Sequence, residues 1–263
     1  MSPLSYTLTG EGGAPPVLLL HGFLGAKEEW DEIIEALRED FLCIAPDLPG
    51  HGGSVGLSYP DAYTIEGAAR EVTALLDGLG ISRVALVGYS MGGRLALHLA
   101  LRHPERFSGL FLESSSPGIE EERERAVRRM EDERRARQLE SVGLEAFVEE
   151  WYRQPLFASL RRREDLLGRT VRHRLSNDPH ELARSLRAMG TGNQRPLWDD
   201  LEKLAVPTLA VAGELDEKYS AICSRMREEC GVPVARVPGA GHNVHLEAPD
   251  EYTRLLRGFL KAL

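Results

Sequence analysis

The chain has 263 residues, with 41 acidic side chains against 32 basic ones and a formal net charge of −9 at pH 7. That balance argues against a nucleic-acid-binding surface and weakly repels anions at long range, so an anionic ligand needs local cations. The length suits one α/β unit with an inserted cap better than two independent domains.

No stretch approaches the ~18 apolar residues of a membrane span. The first residues, Met1-Ser2-Pro3-Leu4-Ser5-Tyr6, lack a basic start followed by an apolar run, so a cytoplasmic protein without membrane insertion is expected. In chain order, Val17-Leu18-Leu19-Leu20 is the first short apolar run bounded by turn residues and predicts a buried strand. Leu42-Cys43-Ile44-Ala45 predicts a second, which makes Cys43 a core residue. With Cys223 and Cys230 it completes a set of three cysteines without CxxC spacing, so neither a disulfide framework nor a zinc site is expected. The turn Asp47-Leu48-Pro49-Gly50-His51-Gly52-Gly53-Ser54 follows, expected to shape the rim of a site. Ile65 to Leu79, with Ala69, Val72, Leu75, Leu76 and Leu79 at helical spacing, predicts a helix, and Val84-Ala85-Leu86-Val87 and Leu110-Phe111-Leu112 predict strands.

The alternation then stops. Residues 119–198 contain no convincing strand and are rich in Arg, Glu and Leu, too long for an ordinary connection. Phe147, Trp151, Tyr152, Leu156, Phe157, Leu166 and Trp198 favour a packed helical cap over a disordered insert. Strands resume with Leu209-Ala210-Val211-Ala212 and Val234-Ala235-Arg236-Val237, and a terminal helix begins near Pro249. The predicted class is α/β: a mostly parallel central sheet with helices on both faces, a core of residues 1–116 and 199–263, and a cap of residues 117–198.

The chemistry centres on Gly88-Tyr89-Ser90-Met91-Gly92, a G-x-S-x-G pattern between a strand run and the helix-like Gly93-Arg94-Leu95-Ala96-Leu97-His98-Leu99-Ala100. A serine hydroxyl is a poor nucleophile or base alone, so Ser90 needs an imidazole to take its proton and a carboxylate to orient that imidazole. Asp216, in the loop after Leu209 to Ala212, is the acid, with Glu214 and Glu217 competing. His242, in Gly239-Ala240-Gly241-His242-Asn243, is the base, with His245 the local alternative. The backbone amides of Phe23, in His21-Gly22-Phe23, and of Met91 are expected to form an oxyanion hole. His21 and His51 receive no chemical role.

Together these pieces resemble the α/β-hydrolase superfamily. Within it, Gly88 to Arg94, Glu113-Ser114-Ser115-Ser116-Pro117-Gly118, Trp151-Tyr152-Arg153-Gln154-Pro155-Leu156-Phe157-Ala158-Ser159-Leu160 and Gly190-Thr191-Gly192-Asn193-Gln194 resemble the 2-succinyl-6-hydroxy-2,4-cyclohexadiene-1-carboxylate synthases of menaquinone biosynthesis. The resemblance implies a lyase that eliminates pyruvate from a tricarboxylate cyclohexene without a cofactor or metal, by proton abstraction rather than acyl transfer. It implies Arg94, Arg128 and Arg174 as carboxylate ligands, with Arg172 the alternative register for the last, and Tyr89 and Trp151 as pocket lining. Against this, Arg123, Arg125, Arg128, Arg129, Arg134, Arg135 and Arg137 alternate with acids, and most are expected on a solvated helix face. A serine esterase or C–C hydrolase acting through an acyl-enzyme would use the same core residues, and a non-catalytic ligand receptor could share the fold.

Overall fold

Alternate residues of the central strands feed two separate apolar layers. In the computed structural model, which describes residues 4–263, Leu18 and Leu20 pack in one layer while Val17 and Leu19 pack in the other, all fully buried. This period-two split is what a strand covered on both faces requires. The strands are β1 (Tyr6–Thr9), β2 (Pro16–Leu20), β3 (Leu42–Pro46), β4 (Val84–Tyr89), β5 (Phe107–Glu113), β6 (Thr208–Gly213) and β7 (Val234–Val237). They form one sheet in the order β1-β3-β2-β4-β5-β6-β7, parallel except for β1, which runs antiparallel to β3.

On one face lie α2 (Ile65–Gly78), α3 (Met91–Arg102) and α8 (Glu217–Cys230); on the other lie α1 (Asp31–Leu37), α9 (Val244–Glu247) and α10 (Pro249–Lys261). Between β5 and β6 come α4 (Glu122–Val142), α5 (Leu144–Tyr152), α6 (Glu164–Arg174) and α7 (Pro179–Met189), with short 3-10 turns and no strand among the described residues. These helices share an apolar cluster that includes Leu139, Phe147, Val148, Phe157, Leu182 and Leu186. The two ends of the insert are tied together, because Leu197 N–H donates to Pro117 O (2.7 Å) and Trp198 Nε1 to Gly118 O (3.0 Å).

Six predicted strands lie within observed ones; β1 was not foreseen. Its Tyr6 and Leu8 are 41% and 47% exposed on a four-residue edge strand, so it carries no apolar run to read. The Asp47–Ser54 turn departs from its expected role. Among the described residues, none of it lines the central cavity. It seats the cap instead, with Gly50 packed against α7 at Glu181 and Ser185, and Gly52 N–H donating to Asn177 Oδ1 (2.8 Å).

The elbow between β4 and α3 allows no side chain where the backbones meet. A Cβ on Gly92 would stand 2.2 Å from Leu20 O, and one on Gly88 2.6 Å from Gly92 O. Both neighbours are backbone and cannot rotate away. Gly92→Ala should therefore cost about 1–3 kcal/mol, the usual penalty of overpacking, read as a lower urea midpoint. An unchanged midpoint would show that the elbow has slack.

Candidate active site

Ser90 sits at the end of β4 with φ 49° and ψ −106°, a region ordinary residues avoid. The strain holds because Ser90 N–H donates to Glu113 O at the end of β5 (2.9 Å), while Ser90 O accepts the Arg94 N–H (3.1 Å) and starts α3. Asp216 follows β6 and caps α8 by accepting the Tyr219 N–H at Oδ1 (3.1 Å), leaving Oδ2 for His242 Nδ1 at 2.7 Å. His242 Nε2 lies 3.1 Å from Ser90 Oγ. The loops carrying acid and base meet at Gly213, where a Cβ would stand 2.2 Å from Gly241 O. Serine, imidazole and carboxylate are thus within proton-relay distance, though 152 and 26 residues apart in sequence. The competing acids Glu214 and Glu217 are exposed. His245 does not join the relay; its Nδ1 is 2.8 Å from both carboxylate oxygens of Glu113.

Phe23 and Met91 both line the cavity above Ser90, and among the described residues neither amide donates to another backbone group. Met91 is the first residue of α3, where helix geometry leaves an amide without an internal acceptor. His21 supports this loop: its Nε2 accepts the Leu48 N–H (2.9 Å), which makes Nδ1 the protonated nitrogen that donates to Gly22 O (2.8 Å). Burial pushes His21 below its ordinary value and His51 to about 3, so His51 is neutral at ordinary pH.

The cavity holds about 270 Å³ and is lined by all five implied binding residues, Tyr89, Arg94, Arg128, Trp151 and Arg174. Tyr89 is buried between His242 and His245, with ring centroids 5.4 and 4.8 Å away. Trp151 stacks on Phe147 (5.8 Å, 25°) and meets Phe23 (5.2 Å). Arg94 is buried without a carboxylate partner; its guanidinium donates to Gln194 Oε1 (3.0 Å), and burial with the Arg128 charge brings it down to about 10. Arg128 pairs with Asp132 one turn along α4 (2.8 Å). Arg174 is the buried member of its segment and lines the cavity, whereas Arg172 is exposed. Its guanidinium pairs with Glu29 and donates from Nε to Tyr152 Oη (3.1 Å), so it reaches the cavity already partnered. The run on α4 is mainly the expected solvated face, as in Arg125 and Arg129 to Glu122 and Arg137 to Glu133. Arg135 departs from it: half-buried, it lies 5.4 Å over the Trp151 ring.

Sequence reasoning passed over Glu29, Tyr152, Lys218 and Tyr219. Beneath the site, Glu29 faces Arg174 and stands 3.7 Å from His245 Nε2, while Glu113 holds the other side of His245. All four side chains are buried. Burial lowers His245, but the charges of Glu113 and Glu29 outweigh it and raise it to about 9; Arg174 and His245 in turn hold Glu29 well below the carboxylate range despite its burial. Two carboxylates and two cations thus form a neutral group. Among the described residues no three His, Cys, Asp or Glu side chains converge as metal ligands.

Comparison with known proteins gives concordant results. Residues 15–249 match the α/β hydrolase fold family. The chain is 39% identical to a putative 2-succinyl-6-hydroxy-2,4-cyclohexadiene-1-carboxylate synthase of Bacillus subtilis, covering 98% of this chain and 95% of that protein. It is 34% identical to the 2-succinyl-6-hydroxy-2,4-cyclohexadiene-1-carboxylate synthase of Serratia proteamaculans, over 95% of each. The solved structure of MenH from S. aureus superposes with a TM-score of 0.91 at 35% identity, over 98% of both chains.

His245 makes stability fall in alkali. Its folded pKa of about 9 lies above the unfolded value, so its contribution is complete below pH ~6.5 and is lost as pH rises through about 9. Urea midpoints should drop across that window by an amount worth roughly 3 kcal/mol, and His245→Gln should remove most of the slope. A flat wild-type profile would mean that His245 is neutral in the fold.

Proposed function

The chain belongs to the α/β-hydrolase fold family and, within it, to the 2-succinyl-6-hydroxy-2,4-cyclohexadiene-1-carboxylate synthases, and from that premise we propose how its residues carry out the reaction. It is a carbon–oxygen lyase of menaquinone biosynthesis, eliminating pyruvate from 2-succinyl-5-enolpyruvyl-6-hydroxy-3-cyclohexene-1-carboxylate to give the cyclohexadiene. The observation that carries the residue assignment is a Ser-His-Asp relay opening into a cavity lined by four arginines and a lysine, a surface suited to a small polyanion and ill suited to a neutral ester.

His242, oriented by Asp216, draws the proton from Ser90 Oγ, and the serine oxygen takes the ring proton next to the succinyl ketone. Negative charge develops on the ketone oxygen, which the Phe23 and Met91 amides are placed to receive. The electrons then move through the ring double bond and break the carbon–oxygen bond to the enolpyruvyl group, and the departing enolate takes up a proton to become pyruvate. No carbonyl is attacked and no acyl-enzyme forms. Arg94, Arg128 and Arg174 bind the carboxylates, while Tyr89 and Trp151 close the walls around the ring. The partner is a small anionic molecule and the proposed setting is the cytoplasm; no helix among the described residues is long and apolar enough to cross a membrane.

Ser90→Ala should lower the rate of pyruvate release by about 10³-fold or more, since the relay loses its proton-accepting oxygen. Arg94→Ala should lower kcat/KM by about 10²-fold, the scale of losing one charge-assisted contact. Both are read with a coupled pyruvate assay. Rapid ester turnover with an acyl burst and no pyruvate from the enolpyruvyl substrate would sink this reading in favour of a hydrolase.

A further inference from the structure

The cations around the cavity are not equivalent. Arg128 is committed to Asp132 and Arg174 to Glu29. Among the described residues, Arg94, Arg135 and Lys218 line the same cavity with no carboxylate within ion-pair distance. Arg94 is buried beside the elbow, so it belongs to the inner wall. Arg135 and Lys218 sit elsewhere. Arg135 projects from α4, holding Gln154 Oε1 (3.2 Å) and the Trp151 face. Lys218 lies in the first turn of α8, two residues after Asp216, with Nζ 5.7 Å from the Tyr219 ring. Lys218 is one of three exposed residues in the lining, with Glu131 and Pro155, and these mark the mouth.

We propose that Arg135 of the cap and Lys218 of the core jointly bind the carboxylate at the end of the substrate's succinyl arm, bridging the two parts across the mouth. The inference rests on the lyase reading above. Ring chemistry occurs at Ser90, so the carboxylate on the flexible arm is the one free to reach the mouth. With Arg94, Arg128 and Arg174 taking the carboxylates nearer the ring, the arm carboxylate is left to Arg135 and Lys218, which have no protein carboxylate within ion-pair distance among the described residues.

The two mouth cations act on one another. Partial desolvation against the cavity wall lowers both below their ordinary values, the Arg128 charge lowers both further, and Arg135 also depresses Lys218. Glu131 and Asp132 offset this for Arg135, and Asp216 and Glu131 for Lys218. An incoming carboxylate relieves the remaining repulsion. Trp151 supplies a flat support that orients the Arg135 fork.

The test compares pyruvate release from the natural substrate with release from an analogue whose arm carboxylate is a carboxamide. Arg135→Met and Lys218→Met should each raise KM for the natural substrate by about tenfold or more, with kcat within about threefold, and Arg135→Lys should recover part of the loss. On the carboxamide, where no arm charge remains, wild type and both Met variants should agree within about twofold. This comparison also reports whether each variant has folded. An equal loss on both substrates, or an unchanged KM on the natural one, overturns the proposal. Wild-type protein that releases no pyruvate from the natural substrate overturns the lyase reading itself.

Discussion

A serine held at φ 49° is the constraint from which the site follows. An L-residue occupies that conformation at a cost of roughly 1–3 kcal/mol, so the surroundings must hold it there. Glu113 fastens the elbow from β5 by accepting the Ser90 N–H, and the bare Cα atoms of Gly88 and Gly92 let the turn press against β2 and α3. The sharp exit from β4 lifts Ser90 Oγ to the sheet's carboxyl edge, where the loops after β6 and β7 deliver Asp216 and His242. It also starts α3 at Met91, which leaves that amide free. One turn of backbone thus sets both the Ser90 hydroxyl and a free backbone amide beside it.

Glu113 links this elbow to a second layer. Its carbonyl holds Ser90 while its carboxylate holds His245, which faces Glu29, which pairs with Arg174. Removing one member of such a buried group leaves an uncompensated charge, commonly worth 3–5 kcal/mol. Arg174 is therefore fixed in direction before any ligand arrives, at the expense of part of its field. Arg94 is the reverse case: held only through the neutral Gln194 amide, it keeps its full charge in a dry setting where a carboxylate gains most. The arginines that sequence resemblance treats alike are divided by their partners into anchored and available.

What could be read in the sequence is what has local pattern. The six apolar strand runs, the elbow and the order of serine, acid and histidine each carry a signal of composition or spacing, and the fold gathers the three relay residues at its carboxyl edge. Other features depend on contacts between distant segments. Glu29 lies in Lys27-Glu28-Glu29-Trp30, where nothing distinguishes it from its exposed neighbour Glu28; only packing against α6 and α9 makes it a buried counter-ion. Arg135 looks like any member of its charged run, and its contacts with Trp151 and Gln154, 16 and 19 positions on, turn it toward the cavity. Arg172 and Arg174 differ by two positions, about 200° around a helix, so one meets solvent and the other the interior. The glycine-rich turn after β3 was legible as a turn, but its use as a seat for α7 was not, because the partner lies about 125 residues away.

The cap is more than a cover, because it also holds the core loop of Phe23 and Leu24. Leu24, in the left-handed region at φ 68°, is fully buried in the apolar cluster of the cap helices, and its carbonyl accepts from Asn177 Nδ2 (3.0 Å). Asn177 Oδ1 at the same time accepts the Gly52 N–H of the core, so one amide side chain clamps three segments. Phe23, directly before Leu24, lines the cavity and turns its ring to Trp151 of the cap. Asn177 and Trp151 thus tie the cavity wall at Phe23 and Leu24 to the cap, whereas Met91 is held by α3 of the core.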